Sequence, residues 1–516
     1  MELKPVAYPY NQAPENALVY ASTTTFLANQ LDQVNLIGGV PEHALIKTEY
    51  FGYIQDAWKV LPELTVNVGM RYEFFNAFHE QYGRDLPFDI TTCGGFCPVG
   101  SAFYFPKKLN LEPRLSIAWA PKAVHGKTVI RAGSGFYKGE AQLGDLNAPN
   151  DNFTQRFSLS SASFPGLSFP ANSFYAAAAS QAVTPRALNR NLNIPTVIQW
   201  GLQIQQALPS GFILDTGYIG YHGYHQFTRW YVNGCLPGTV TTGCVRPFPA
   251  FGPIDIKQTD SNNHFNGWQS SIRRHFKSGL SFSANYLWSH ALNDDSTGGG
   301  ETDYPQINTC RTCDIASSDA DIRHTFSMNS VYRLPFGKGR TFLSQSRVGD
   351  AILGGWELSG TGSARTGLPV NVTITRAATA VPDGLSLEKG TSFQRPNCVS
   401  GVSLVPTNQT INNWINPAAF SIPADLTYGN CGRNIIRGPN FWQADAALTR
   451  DFRIAERFVL NMRAEGFNIF NRAQYGLPSG NLSSGTFGHI TSTVNGSSPT
   501  GSGTPREFQF AMRLRF

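Results

Sequence analysis

The chain closes on REFQFAMRLRF, residues 506–516, and the alternation within it decides the fold. Phe508, Phe510, Met512, Leu514 and Phe516 fall on one side of an extended strand. Gln509, Ala511, Arg513 and Arg515 fall on the other, because strand side chains alternate with a period of two. LTVNVGMRYE (64–73) repeats the pattern, setting Leu64, Val66, Val68, Met70 and Tyr72 against Thr65, Asn67, Gly69, Arg71 and Glu73. LSFSANYLWSH (280–290) sets Leu280, Phe282, Ala284, Tyr286 and Trp288 against Ser281, Ser283, Asn285 and Ser289. Comparable segments lie near 47–58, 111–120, 127–138, 195–207, 211–221, 264–276, 322–334, 352–364, 440–452 and 456–470, thirteen or so in all.

Composition narrows the setting. Of 516 residues only 15% are charged, while 12% are aromatic, the reverse of what a disordered chain requires. Basic residues exceed acidic ones, 41 to 35, but they are scattered rather than clustered, so no nucleic-acid footprint is read. No run approaches the roughly 18 apolar residues of a spanning helix. The opening MELKPVAYPYNQAPENALVY lacks a basic start followed by an apolar stretch, so no signal peptide is visible. A large all-β protein remains, either soluble or set in an outer membrane.

Three features favour lipid. The alternating segments mostly run ten residues or more, whereas soluble strands average about 5–6 and tilted membrane strands need about 9–11. Their polar faces carry Arg71, Glu73, Asp215, Arg463 and Glu465, which suit a wet interior and not a dry core. Short links at 59–63, 121–126, 208–210, 277–279 and 453–455, with a moderate one at 335–351, alternate with long ones. The long links are 78–108, 139–194, 222–263, 291–321, 365–439 and 471–504. Tight periplasmic turns alternating with long outer loops are the habit of transmembrane antiparallel β-barrels.

The terminal aromatic Phe516, with apolar residues at every second position before it, matches an outer-membrane assembly signal that the barrel assembly machinery reads. Several stretches resemble the C-terminal barrel of TonB-dependent receptors of the Oar-like kind. They are 50–75, LNLEPRLSIAWAP (109–121), GKTVIRAGSGFY (126–137), RHTFSMNSVYRLPFGKGR (323–340) and ILGGWELSGTGSARTGLPVNV (352–372). NPAAF (416–420), GRNIIRGPNFWQADAALTRDFRI (432–454) and RFVLNMRAEGFNIFNRAQYGLP (457–478) complete the set, in the family's order. The resemblance implies uptake of a bulky nutrient (siderophore, glycan or peptide) across the outer membrane of a Gram-negative bacterium, driven by TonB through a plug. The plug, the TonB box and the N-terminal β-domain are not recognisable here. About 13–14 strands are expected, against 22 in the family's barrels. Residues 46–516 are therefore expected to be the C-terminal portion of such a barrel. Residues 1–45 are expected to be a truncated N-terminal segment, a loop or one further strand within 14–30 that would make the count even.

All eight cysteines fall in the long links. Proximity in an oxidising compartment pairs Cys93 with Cys97, Cys235 with Cys244, Cys310 with Cys313 and Cys398 with Cys431. The competing zinc reading of Cys310-Arg-Thr-Cys313 lacks a second CxxC. His125-Gly126-Lys127-Thr128 lacks the first glycine of a phosphate loop, since Pro121 stands there. Neither HExxH nor GxSxG occurs, and no catalytic residue, cofactor or metal is assigned. Asp294, Asp295, Glu301, Asp303, Asp314, Asp319 and Asp321 surround one long loop without calcium-loop spacing, and a solvated loop is the expectation.

Two groups of residues are candidates for ligand contact. Arg71, Arg131, Asp215, Arg273, Arg463, Glu465, Arg513 and Arg515 could line the lumen or touch a plug; solvation and pairing inside a wet barrel is the simpler account. Trp230, Tyr231, Phe248, Phe251 and Trp414 could hold a ligand or pack the loops. Trp58, Trp119, Trp200, Trp288, Trp356 and Trp442 are read as outward anchors in lipid. The reading is a receptor barrel, not an enzyme, in contact with outer-membrane lipid and an unknown nutrient ligand. A diffusion porin or adhesin-like barrel without TonB coupling, and a soluble extracellular glycan-binding β-protein, are the alternatives.

Overall fold

A computed structural model describes residues 8–11, 17–37, 42–139, 152, 156–161, 166–169, 182–277, 279–296, 305–307, 310–385, 394–454, 457–495 and 503–516. Thirteen long strands form one antiparallel ladder in which each hydrogen-bonds to the next. They are β1 (Glu49–Leu61), β2 (Leu64–Phe75), β3 (Leu111–Trp119), β4 (Thr128–Lys138), β5 (Thr196–Ala207), β6 (Phe212–Val232) and β7 (Ile254–Lys277). There follow β8 (Leu280–Asn293), β9 (His324–Arg333), β10 (Trp356–Arg365), β11 (Phe441–Arg453), β12 (Val459–Phe467) and β13 (Glu507–Arg515). Among the described residues no helix is long and apolar enough to cross a membrane. Crossing falls to the strands.

The register fixes two chemically opposite faces. Paired residues share a face, so stepping across the ladder traces one surface. On β3, Leu115, Ile117 and Trp119 are 48%, 39% and 43% exposed, while Ser116 and Ala118 between them are half-buried. Leu115 and Ile117 pair with Val68 and Val66 of β2, so the apolar positions of neighbouring strands align. The same outward face carries Trp268 opposite Trp288, Phe326 opposite Tyr286, and Met462 opposite Met512. The other face carries most of the polar side chains, with Ile219, Phe265 and Leu287 among them. A soluble sheet hides its apolar face; this one displays it, and hydrocarbon is the solvent that suits such a surface.

Several elements differ from the sequence expectation. Residues 14–30 contribute no strand to the large sheet among the described residues. Ala17–Val19 pairs instead with Gln33–Ile37, which pairs with Arg156–Ser160. Between them lies the helix α1 (Thr23–Leu27), because Ser22 and Thr25 form a reciprocal cap. A second small sheet joins Tyr8–Asn11, Glu42–Ile46 and His79–Glu80. The strand expected to begin at 352 begins at Trp356, since Ser346 accepts the Gly349 amide and starts the helix α2 (Arg347–Leu353). The hairpin β6–β7 rises well beyond its expected ends. It passes a bulge at His225, held at a positive φ of 57°, and adds Arg186–Leu188 as a parallel partner on β7.

The ladder starts at β1 and ends at β13, and neither pairs further among the described residues. Both strands run toward the short-turn end, so direct pairing between them would be parallel. At the other end the long loops pack into their own small cores. One gathers Leu45, Phe78, Phe103, Tyr104, Leu188, Leu192 and Phe227. Another gathers Val370, Val372, Ile415, Ala419, Phe420, Cys431, Ile436 and Phe487.

A charge on the outward face should be costly and the same charge inward should not. Leu115→Arg is expected to destabilise the folded protein by roughly 2–4 kcal/mol and to lower its yield in the outer membrane, whereas Ser116→Arg leaves both near wild type. Heat-modifiable gel migration of membrane fractions reads the difference.

Candidate functional site: an inward groove beneath a stapled loop end

The inward face gathers the charges that alternation assigns to it. Arg71 pairs across the ladder with Glu112, Arg131 with Gln203, Gln205 with Asp215, and Arg273 with Ser283. Arg463 pairs with Thr449, Glu465 with Gln509, Asn461 with Arg513 and Val459 with Arg515. Following the register across all thirteen strands, Arg71, Arg131, Asp215, Arg273, Arg463, Glu465, Arg513 and Arg515 fall on one face. They do not form one cluster. Most are held by inward neighbours: Arg71 by Glu73, Asp215 by Arg273 at 3.6 Å, Arg463 by Glu465 at 2.6 Å, and Arg515 by Asp451 at 2.6 Å. Arg131 donates to the side-chain amide oxygen of Gln205 at 3.0 Å.

The concave side of β1–β7 encloses a groove of about 1080 Å³, lined by Arg71, Arg114, Arg131, Gln199, Gln203 and Tyr221 among others. Its width comes from inward positions held by glycine, notably Gly69, Gly133, Gly201 and Gly217. A methyl group on Gly217 would meet the Leu202 carbonyl oxygen at 2.3 Å, so nothing larger fits there without moving β5. Arg114 lies over the Tyr137 ring at 4.5 Å and binds Glu112 at 3.0 Å. Alternation marks Arg114 and Glu112 as inward once the register of LEPRLSIAW is known, but the proline at 113 obscures the pattern. The groove offers cations and amides beside inward apolar and aromatic side chains such as Ile219, Tyr221 and Phe265.

The long-loop end is cross-linked. Disulfides join Cys93 to Cys97, Cys235 to Cys244, Cys310 to Cys313 and Cys398 to Cys431. Of the loop aromatics, Phe251 packs edge-on against Phe88 and Phe96, and Trp414 donates its indole N–H to the Arg437 carbonyl at 2.9 Å. These two serve loop cores. Trp230 lies beneath Arg311 and Tyr231 beside Arg229, while Phe248 stays 41% exposed.

Three of the loop carboxylates, Asp294, Asp314 and Asp321, are buried, while Asp319 is exposed. Asp314 and Arg395, both nearly fully buried, bind at 2.5 Å and tie the loop before β9 to the loop before β11. Buried Gln306 donates its amide N–H to Asp314 and accepts the Arg395 amide. Arg433 donates to the carbonyl oxygens of Asn293 (2.7 Å) and Asp314 (3.2 Å). Asp294 takes Arg311 at 3.5 Å and the Ser261 hydroxyl at 2.5 Å. Glu301 and Asp303 lie outside the described residues. Residues 80 to 140 apart in sequence meet here, and no local pattern announces such pairs.

Asp321 sits at the centre of a second clamp, bonded by Arg437 and Arg323 and by the Ala291 amide at 2.7 Å. Burial pushes its carboxyl upward, but the Ala291 amide and the Arg437 and Arg323 guanidinia outweigh this and hold it below the usual carboxylate range.

Residues 7–509 match the outer membrane beta barrel domain. The chain belongs to that family. No curated protein matches it. Among solved structures it is similar to the ferripyoverdine receptor of the outer membrane of Pseudomonas aeruginosa bound to ferripyoverdine. That similarity has 11% identity and a TM-score of 0.44, covering 92% of this chain and 40% of the other. The outer membrane transporter YddB from Escherichia coli gives 9% identity and a TM-score of 0.46, with coverage of 94% and 59%. The siderophore receptor PiuA from Acinetobacter baumannii gives 9% and 0.41, with coverage of 93% and 44%. The chain thus spans about two-fifths to three-fifths of these proteins' lengths. An outer-membrane β-barrel domain places the chain in the outer membrane of a Gram-negative bacterium, which removes the soluble glycan-binding alternative.

Two outcomes follow for the loop end. Arg395→Met leaves the Asp314 carboxylate buried without its partner and is expected to cost about 3–5 kcal/mol of loop stability; Arg395→Met with Asp314→Leu recovers most of it. Protease digestion of intact cells, which cuts only exposed loops, measures both. The Asp321 clamp, whose carboxyl is depressed on folding, contributes fully above the unfolded value of about 3.9 and is lost as pH falls through the lower native one. Protection of the Ala291 amide, relative to a free amide at the same pH, should therefore fall below about pH 4, and Asp321→Asn should abolish that pH dependence.

Proposed function

We propose that the chain is the barrel portion of an outer-membrane receptor that takes up a bulky nutrient, a siderophore, glycan or peptide, by coupling to TonB. The observation that carries this reading is the groove: a wide, glycine-lined, cation-bearing inner face beneath loops stapled by four disulfides. A large solute needs both a roomy polar path and an ordered mouth to select it. Coupling to TonB would run through a plug, which the resemblance places ahead of the barrel. The stretches between 50 and 478 that resemble Oar-like receptors favour that subtype and a peptide-like cargo within it. Assembly by the barrel assembly machinery through Phe508, Phe510, Met512, Leu514 and Phe516 belongs to the same reading, since all five are outward and exposed at the last strand. Most of the lumen arginines are paired with carboxylates, so attraction of an anionic solute would fall chiefly to Arg131, which is held by the neutral Gln205 side chain.

Growth supplies the test. A strain lacking the gene, offered ferric siderophores, oligosaccharides or oligopeptides as the limiting source of iron, carbon or nitrogen, is expected to fail on one class. Removing TonB or collapsing the proton gradient should reproduce the same failure. Uptake that survives without TonB points to a diffusion pore, and normal growth of the deletion strain on every class refutes the proposal.

A further inference from the structure

We infer that α2 and the basic turn before it form an interfacial anchor that rests on anionic phospholipid headgroups at the short-turn rim of the barrel. The inference depends on the barrel standing in lipid and adds a partner for a segment that strand crossing does not explain. The helix is fixed on the hydrocarbon-facing side by residues of that side. Arg450 pairs with Trp356 across β10 and β11, on the outward face. Its guanidinium donates to the carbonyl oxygens of Ile352 at 2.8 Å and Asp350 at 3.0 Å. The Trp356 indole N–H donates to the same Ile352 oxygen at 3.0 Å. The last carbonyls of α2 are thereby satisfied by a cation, the charge that suits a helix C-terminus, and the helix is seated against the outer wall.

What α2 then presents outward is apolar. Val348, Ile352 and Leu353 are 71%, 62% and 46% exposed, and Val348 and Ile352 are one turn apart on one face. Phe342 and Leu343 precede them, and Ile454, Phe458, Leu514 and Phe516 carry the same exposed apolar rim along β11–β13. The surface is thus continuous with the lipid-facing band. Lys338, Arg340 and Arg347 are exposed beside it. The segment's one acid, Asp350, is engaged by its own turn, its carboxylate accepting the Lys338 amide at 2.7 Å. An apolar ridge whose exposed charges are cations is complementary to an anionic bilayer surface, where acyl chains lie next to phosphates.

A spin label tests this in the full chain reconstituted in vesicles of phosphatidylethanolamine with phosphatidylglycerol. On Val348→Cys, relaxation by oxygen is expected to exceed relaxation by a water-soluble nickel chelate about threefold, approaching the behaviour of a label on Leu115→Cys. A label on Asn412→Cys, in a long loop, should show the reverse. Replacing phosphatidylglycerol with phosphatidylcholine, or combining Arg340→Gln with Arg347→Gln, should lower the Val348 ratio about twofold. A Val348 label as open to nickel as Asn412, with Leu115 still shielded, overturns the anchor and leaves the barrel standing; a protein-docking surface would give that result. Nickel access at Leu115 overturns the barrel as well. A Val348 ratio indifferent to both lipid charge and the arginines overturns the assignment to anionic headgroups.

Discussion

Hydrocarbon offers no hydrogen bonds, and everything in this fold answers to that fact. Each backbone N–H and C=O of a crossing strand must find its partner on a neighbouring strand, which a continuous ladder from β1 to β13 provides along its interior. Once the ladder is fixed, so are the faces. A slip of one residue at any pair would carry Arg71 or Asp215 into lipid and Leu115 or Trp288 into water, so the chemistry of the two faces enforces the register. The ladder's two end strands, β1 and β13, each leave one edge unpaired among the described residues, and their common direction means that an antiparallel closure needs an intervening strand.

The same alternation makes the fold legible in the sequence. Every one of the thirteen segments became a strand because each must be apolar on alternate residues to meet lipid, and the six tryptophans read as outward all share the outward register. Trp268 belongs with them, opposite Trp288. The pattern failed where lipid stops. Beyond His222 the hairpin β6–β7 is packed among the loops, with Phe227, Thr228, Ile254 and Lys257 buried, so its sequence no longer alternates and its continuation to Val232 is not marked by the pattern. At 352 a serine cap, and at 22 a cap shared with Thr25, redirected the backbone locally and overrode the extended reading.

The loop end obeys different physics and was correspondingly opaque. Its pairs are long-range: Asp314 with Arg395, Asp321 with Arg437, Asn293 with Arg433. Composition marked those carboxylates as a solvated cluster, but Asp314 and Asp321 are buried against arginines supplied by a different loop. The close-spaced cysteines had a local signal, and they stand bonded in the structure. A mouth built this way is ordered by covalent staples, small cores and buried ion pairs together, above a groove widened by glycines whose importance lies in the side chains they lack.

The chain carries its own reporters of the central claim. Seven of its nine tryptophans (58, 119, 200, 268, 288, 356 and 442) face outward, and Trp230 and Trp414 lie in the loops. In vesicles whose acyl chains carry bromine, most of the native tryptophan emission should be quenched, with aqueous acrylamide reaching only the small remainder. Emission indifferent to bromine and open to acrylamide would show that water, not lipid, bathes the outward face.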